Sequence, residues 1–367
     1  MKPLLTLTLL GLTLGLATTA DGADLARLST DAHAIVVASI STRLESSEFV
    51  SFDLTMERVL KGDESLKVAH VSHPWKRRGL VITDQPNSPI NVTIRGIWFL
   101  QRTGSGDWDV LAANGADGMM MNLYLPAAET PPERYGSQAS LTPLDATIIE
   151  FTSGAEQAGS WRRAMIVELL KNIRTPAVSR VTSAYLSSPD PQFQIAGLAL
   201  GLAQNQKNVL SDLSRLWPTA SSDPGRVDIV NSLRNSYRDV SPDSVKELAA
   251  IAADPTFAEL RAPAVRALAS IHTKEALSML AGLLQSSDSD ERMKGVFGLS
   301  SFANGCPVQT PENVVSMEYL QFSKPSPYRT PETIAHFAFR SGPAEQEAEL
   351  ISFWRNWWIE HQAELMK

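Results

Sequence analysis

From Val50 to Glu57 the chain reads VSFDLTME, with apolar and polar residues alternating for eight positions. Successive side chains of a β-strand point to opposite faces, so the alternation predicts a strand with one face on a core and one in water. Upstream, Ala34-Ile-Val-Val-Ala-Ser-Ile40 is a β-branched run suited to a more central strand. Further strands are expected over 66–73, 78–83, 92–101 and 107–113. Lys61-Gly62-Asp63 and Gly104-Ser105-Gly106-Asp107 supply turns, because glycine accepts the positive φ of tight hairpins. Roughly five or six short strands within 24–126 predict a small antiparallel β-barrel or sandwich.

Residues 127–158, which include AAETPPERYGSQASLTP, are polar and broken by proline, and read as a linker. The period then becomes helical, and a longer repeat emerges. Asp190-Pro191, Asp223-Pro224 and Asp254-Pro255 lie 33 and 31 residues apart, and Asp288-Ser289 follows 34 later. An aspartate can cap the free N–H groups of a helix start, and proline fits the first helical position, where its missing N–H has no partner. The second helix of each unit carries an apolar stripe: Val209, Leu213 and Leu216; Val245, Leu248 and Ile251; Leu277, Leu280 and Leu284. Spacings of three and four put each stripe on one face. A two-helix repeat of this length predicts an α-helical solenoid over 159–305, in which each pair buries its face against its neighbours.

Residues 306–367 form a proline-rich loop followed by terminal helices. Pro343 to Met366 reads as one helix, with Leu350, Ile351, Phe353, Trp354, Trp357, Trp358 and Leu365 on one side and Ile359 as the misfit. A solenoid end would otherwise expose apolar surface, so this wide aromatic face predicts a capping helix; an aromatic shelf for a sugar or peptide is the alternative.

Two segments resemble known families. Arg261-Ala-Pro-Ala-Val-Arg-Ala-Leu-Ala-Ser-Ile271 and Glu275-Ala-Leu-Ser-Met-Leu-Ala-Gly-Leu-Leu284 resemble the short HEAT-like repeats of bacterial proteins, a family that includes bilin lyase subunits and many scaffolds. That resemblance implies an architecture and leaves the chemistry open. Asp31-Ala-His-Ala-Ile-Val-Val-Ala-Ser39, Glu57-Arg-Val-Leu-Lys-Gly62 and Ile97-Trp-Phe-Leu100 resemble exported OB-like or netrin-like β-domains. Metalloprotease inhibitors of that class use an amino-terminal cysteine, which this segment lacks. The fold class is therefore multidomain β plus α: a small β-barrel or sandwich, then a HEAT-like solenoid closed by an aromatic C-terminal capping helix.

Charge and composition narrow the function. Residues 1–20 have a lysine start, an uncharged stretch and small residues at Thr18-Thr19-Ala20, as in a signal peptide, and predict a periplasmic or secreted protein. Removing them takes away one lysine and leaves 32 basic against 40 acidic residues, a net charge of −8. Such a chain repels nucleic acid and anionic membranes, and no second long apolar stretch predicts a membrane span. Its only tight basic run is Lys76-Arg77-Arg78. Cys306 is the sole cysteine, so no internal disulfide can form.

Candidate chemistry is sparse. His70-Val-Ser-His73 is a weak metal pair, because residues three apart on a strand face opposite ways. Met119-Met120-Met121 reads as gap-filling methionine rather than a copper site. Asp107, Asp109, Asn114 and Asp117 lack the spacing of a calcium loop. No nucleophile elbow, His-Glu-x-x-His helix or phosphate-binding glycine loop occurs, so no catalytic residue and no cofactor are assigned. The leading expectation is an exported, non-enzymatic binding or scaffold protein for a protein or peptide partner. Arg215, Lys246 and Lys274 on the repeats, and Tyr328 and Arg329 in the proline-rich loop, are its candidate contacts. The alternatives are an enzyme, lyase-like or a metal-dependent hydrolase using His70 and His73, and an inhibitor of exported proteases.

Overall fold

In the computed structural model the alternation at 50–57 falls on the second strand of a small closed barrel. The structure describes residues 22–45, 49–74, 95–104, 106–111, 113–115, 118–120, 122–124, 141–153, 160–220, 223–308, 325–337 and 344–367. The expected signal segment 1–20, the strand 78–83, the Lys76-Arg77-Arg78 run, Asp117, Met121 and most of the expected linker lie outside them. Contacts divide the chain into two units, up to Ala184 and from Tyr185 onward.

The first unit opens with α1 (Gly22–Asp31), followed by β1 (Ala34–Glu45), β2 (Phe49–Lys61), β3 (Val68–Pro74), β4 (Arg95–Arg102) and β5 (Trp108–Val110). These strands pair in the ring β1-β2-β3-β5-β4-β1. A hairpin of β6 (Ala113–Gly115) and β7 (Gly118–Met120) follows, and β8 (Asn122–Tyr124) adds along β4. An odd number of strands cannot close with every neighbour antiparallel. The expected antiparallel barrel accordingly has one parallel seam, between β3 and β5, with Val71 opposite Trp108.

Strand alternation builds the core: Val36 and Ala38, Phe52 and Leu54, Ala69 and Val71, Trp98 and Leu100 all point inward. The Phe52 and Trp98 rings lie 5.4 Å apart, and the Trp98 indole N–H donates to the Ala38 carbonyl at 3.1 Å. Register shifts at Ile35/Val36, Val37/Ala38 and Ile40/Thr42 let β1 pair with both β2 and β4 as the sheet curls. Gly62 sits at φ +108°, where a Cβ would also meet the His33 carbonyl oxygen at 3.1 Å, so the Lys61-Gly62-Asp63 turn requires glycine.

Two helices in this unit escaped the sequence patterns. One is α1, which buries Leu25 and Leu28. The other is α2 (Pro143–Ser153), within the segment read as a linker. Thr142 accepts from the Asp145 N–H at 3.1 Å to start it. Ile148, Ile149 and Phe151 are fully buried, and the buried Glu150 accepts from the Arg58 guanidinium on β2. Proline-rich flanks hid a short apolar helix. Next come α3 (Ser160–Leu170) and α4 (Pro176–Leu186), the latter spanning the boundary between the units.

In the second unit, α5 (Pro191–Ala203), α7 (Arg226–Asn235), α9 (Ala258–Ile271), α11 (Ser289–Ala303) and α13 (Ala344–Leu365) form one row. Each touches the next member of its row. Helices α6 (Val209–Leu216), α8 (Pro242–Ala253) and α10 (Leu277–Leu283) supply a second row: α6 packs on α8, and α8 on the short turn Lys274–Ala276 that leads into α10. All nine residues of the three predicted stripes are buried.

The aspartates of the repeat stand at the entrances of the first-row helices, with varied geometry. Asp190 caps α5 through the Gln192 N–H, and Asp288 caps α11 through the N–H groups of Asp290 and Glu291. Asp223 instead accepts from the Gly225 N–H in the turn before α7. Asp254 caps a 3-10 turn, Pro255–Phe257, which runs into α9. Salt bridges link successive members: Arg226 to Glu259 at 2.9 Å and Arg261 to Glu291 at 2.6 Å. Among the described residues no helix is long and apolar enough to cross a membrane.

Candidate functional site, an aromatic groove beside the last helix

The site begins where α11 ends. Asn304 is the C-cap, and Gly305 follows at φ +68°, the left-handed conformation that terminates a helix. The fully buried Asn304 then holds the chain returning at 325–337. Its amide donates to the Thr333 carbonyl at 3.0 Å, and its side-chain oxygen accepts from the Thr333 hydroxyl at 3.1 Å. Arg329 donates to the Asn304 backbone carbonyl from Nε at 2.9 Å and Nη2 at 2.5 Å. Thr330 and Thr333 form a reciprocal capping box, with Pro331 at the first position of α12 (Pro331–Ala335).

The opposite wall is α13. At about 100° per residue, Ile351, Trp354 and Leu365 share its buried face, and Trp357 lies at that face's edge. Trp354 is 0 % exposed and its indole N–H donates to the His336 carbonyl at 2.9 Å. The His336 ring stacks flat on Phe353 with centroids 3.9 Å apart. Ile359, the predicted misfit, is 64 % exposed. Arg355 donates to the Leu284 carbonyl.

Between these walls lies a groove of about 370 Å³. Phe353, Asn356, Trp357, Glu360 and His361 line it from α13, a spacing of three and four that marks a second face of the same helix. Pro327, Tyr328, Thr330, Glu332 and Thr333 complete it. The Tyr328 ring lies edge-on to Trp357 at 5.9 Å and to His361 at 5.6 Å, and its hydroxyl donates to Glu364 at 3.2 Å. Burial and that carboxylate push the Tyr328 hydroxyl above its ordinary pKa. The Glu332 carboxyl is held below the usual range by its own backbone N–H and the Thr330 hydroxyl. His361 Nδ1 lies 2.7 Å from the Trp357 carbonyl, so in the neutral ring Nδ1 carries the hydrogen and Nε2 is an acceptor. The groove thus combines aromatic carbon with hydrogen-bond acceptors, and among the described residues no lysine or arginine lines it.

Of the residues picked out from sequence, Tyr328 lines this groove and Arg329 braces it through Asn304. Arg215, Lys246 and Lys274 are exposed on α6, α8 and the turn before α10, away from the groove lining, and Arg215 is paired with Asp212 at 2.7 Å. His70 is exposed on β3 with Nδ1 2.8 Å from Asp53 on β2. No group of three or more His, Cys, Asp or Glu residues that could hold a metal comes together among the described residues. Cys306 is buried, and that burial pushes its thiol up to about 11. Asn356, Glu360 and His361 were not selected from sequence; only their helical spacing with Phe353 marked them. No family model, no curated protein and no solved structure matches the chain.

Proposed function

We propose that this is an exported, non-enzymatic binding protein, in which an OB-like barrel accompanies a HEAT-like solenoid closed by α13, and that its partner is a protein or peptide held at the groove. The observation that carries the reading is the groove itself, whose two walls are fixed from the core side by Asn304 and Trp354. A preorganised concave site lined by aromatic groups is the usual form of a binding site. The two rows of helices support the solenoid, because each first-row helix is buried by its neighbours in sequence order. The ring order β1-β2-β3-β5-β4-β1 supports an OB-like barrel. Export rests on residues 1–20, which have the lysine start, uncharged stretch and small residues of a signal peptide.

The test is affinity capture from native extract with the wild-type chain and with Tyr328→Ala. A stoichiometric partner retained by the first and lost by the second is expected. Equal retention by both places the working surface elsewhere, and a mature protein that keeps residues 1–20 overturns export.

A further inference from the structure

We propose that the groove receives the side chain of an arginine or lysine from a basic segment of the partner. The proposal rests on the binding reading above and gives it a chemistry.

Three observations lead to it. Among the described residues the charged lining is the exposed carboxylates Glu332 and Glu360, on opposite walls, and Glu364 stands behind Tyr328 as its hydrogen-bond acceptor. The ring carbon between them comes from Tyr328, Phe353 and Trp357. A long cationic side chain has the matching pattern, an apolar stem ending in a donor-only head that aromatic faces and carboxylates both attract. Anionic ligands meet the Glu332 and Glu360 carboxylates here. The chain as a whole has a formal net charge of −7, which favours approach of a basic partner over a wide range of orientations.

The groove exceeds one side chain in volume, leaving space for the backbone on either side of the inserted residue, as an extended peptide requires. Its rigidity favours affinity, because Asn304, Thr333 and Trp354 hold the walls without a ligand.

The experiment uses the full chain and two acetylated nonapeptides of glycine and serine. One carries three arginines at its centre, and the other has citrulline in their place, which keeps the shape and removes the charge. Calorimetric titration at low salt should show binding of the arginine peptide and at least tenfold weaker binding of the citrulline peptide. Glu332→Gln combined with Glu360→Gln should weaken the arginine peptide at least tenfold, and Phe353→Leu should weaken it as well. Glu275→Gln, an exposed carboxylate outside the groove, should leave it unchanged. Equal affinity for both peptides overturns the proposal, as does no binding, or equal weakening by Glu275→Gln. The citrulline comparison needs no altered protein, so a variant that folds poorly does not remove the test. A neutral oligosaccharide that binds where the arginine peptide does not also overturns it. A captured partner lost with Tyr328→Ala but not displaced by the arginine peptide leaves the binding reading standing and removes the cationic assignment.

Discussion

Arg292 on α11 places its Nη2 2.5 Å from Glu347 Oε1 on α13. It continues the salt bridges Arg226–Glu259 and Arg261–Glu291, so α13 occupies the place of a further first-row helix although its sequence lacks the Asp-Pro entrance. The same helix therefore both packs on α11 in the row and forms a wall of the groove.

This ladder predicts acid sensitivity. The Arg261 hydrogen bond holds the Glu291 carboxyl below its ordinary value near 4.5. A carboxyl depressed on folding contributes stability that is present above its unfolded pKa and lost as pH falls through the folded one. The melting temperature should therefore fall as pH drops below about 4.5. Glu291→Gln should be slightly less stable at pH 7, by ~1 kcal/mol or less for a partly exposed pair, and should lose less on acidification. Parallel pH profiles of the two proteins that superimpose after a constant offset would refute this.

Trp354→Ala should destabilise the protein by about 3–5 kcal/mol, since it removes a fully buried ring and the hydrogen bond to His336. Trp358→Ala, on a partly exposed side chain, should cost much less. Chemical denaturation of both variants decides the point; similar costs would mean that the aromatic face is not divided as described.

Glycines in neighbouring helices separate packing from propensity. A Cβ on Gly295 would lie 2.6 Å from the Leu280 carbonyl oxygen, whereas one on Gly282 meets nothing within 4 Å. Gly282→Ala should stabilise by up to ~1 kcal/mol through helix propensity, and Gly295→Ala should destabilise despite the same gain. Thermal melts with opposite signs are expected; a rise for both would show that α10 and α11 can separate easily.

Cys306 should resist thiol reagents in the folded protein. Its burial and raised pKa, about 11, leave almost no thiolate at neutral pH. Labelling with a chromogenic disulfide should proceed only with denaturant. Stoichiometric labelling of the native protein within minutes would reopen a role for this thiol.

Patterns local to the chain were readable from sequence. The alternation at 50–57, the nine stripe residues and the α13 span rest on periods of two and of three to four, which directly encode the buried face. Helix α2 was hidden because its apolar content, Ile148, Ile149 and Phe151, is brief and follows prolines. The parallel β3–β5 seam depends on ring closure, which no single strand records. The groove was half legible: Tyr328 and Arg329 in the proline-rich loop and the tryptophans each drew attention separately. Their meeting depends on Asn304 and Thr333, residues 29 positions apart whose types give no hint of each other.

Trp357 belongs to both the core and the groove wall, 5 % exposed in one and a lining residue of the other. Filling the groove and keeping α13 docked are consequently one equilibrium. A molecule that binds there has no site on the unfolded chain, so it shifts unfolding by RT ln(1 + [L]/Kd), and occupancy can be read as a rise in melting temperature. The protein's own thermal transition can serve as its ligand assay.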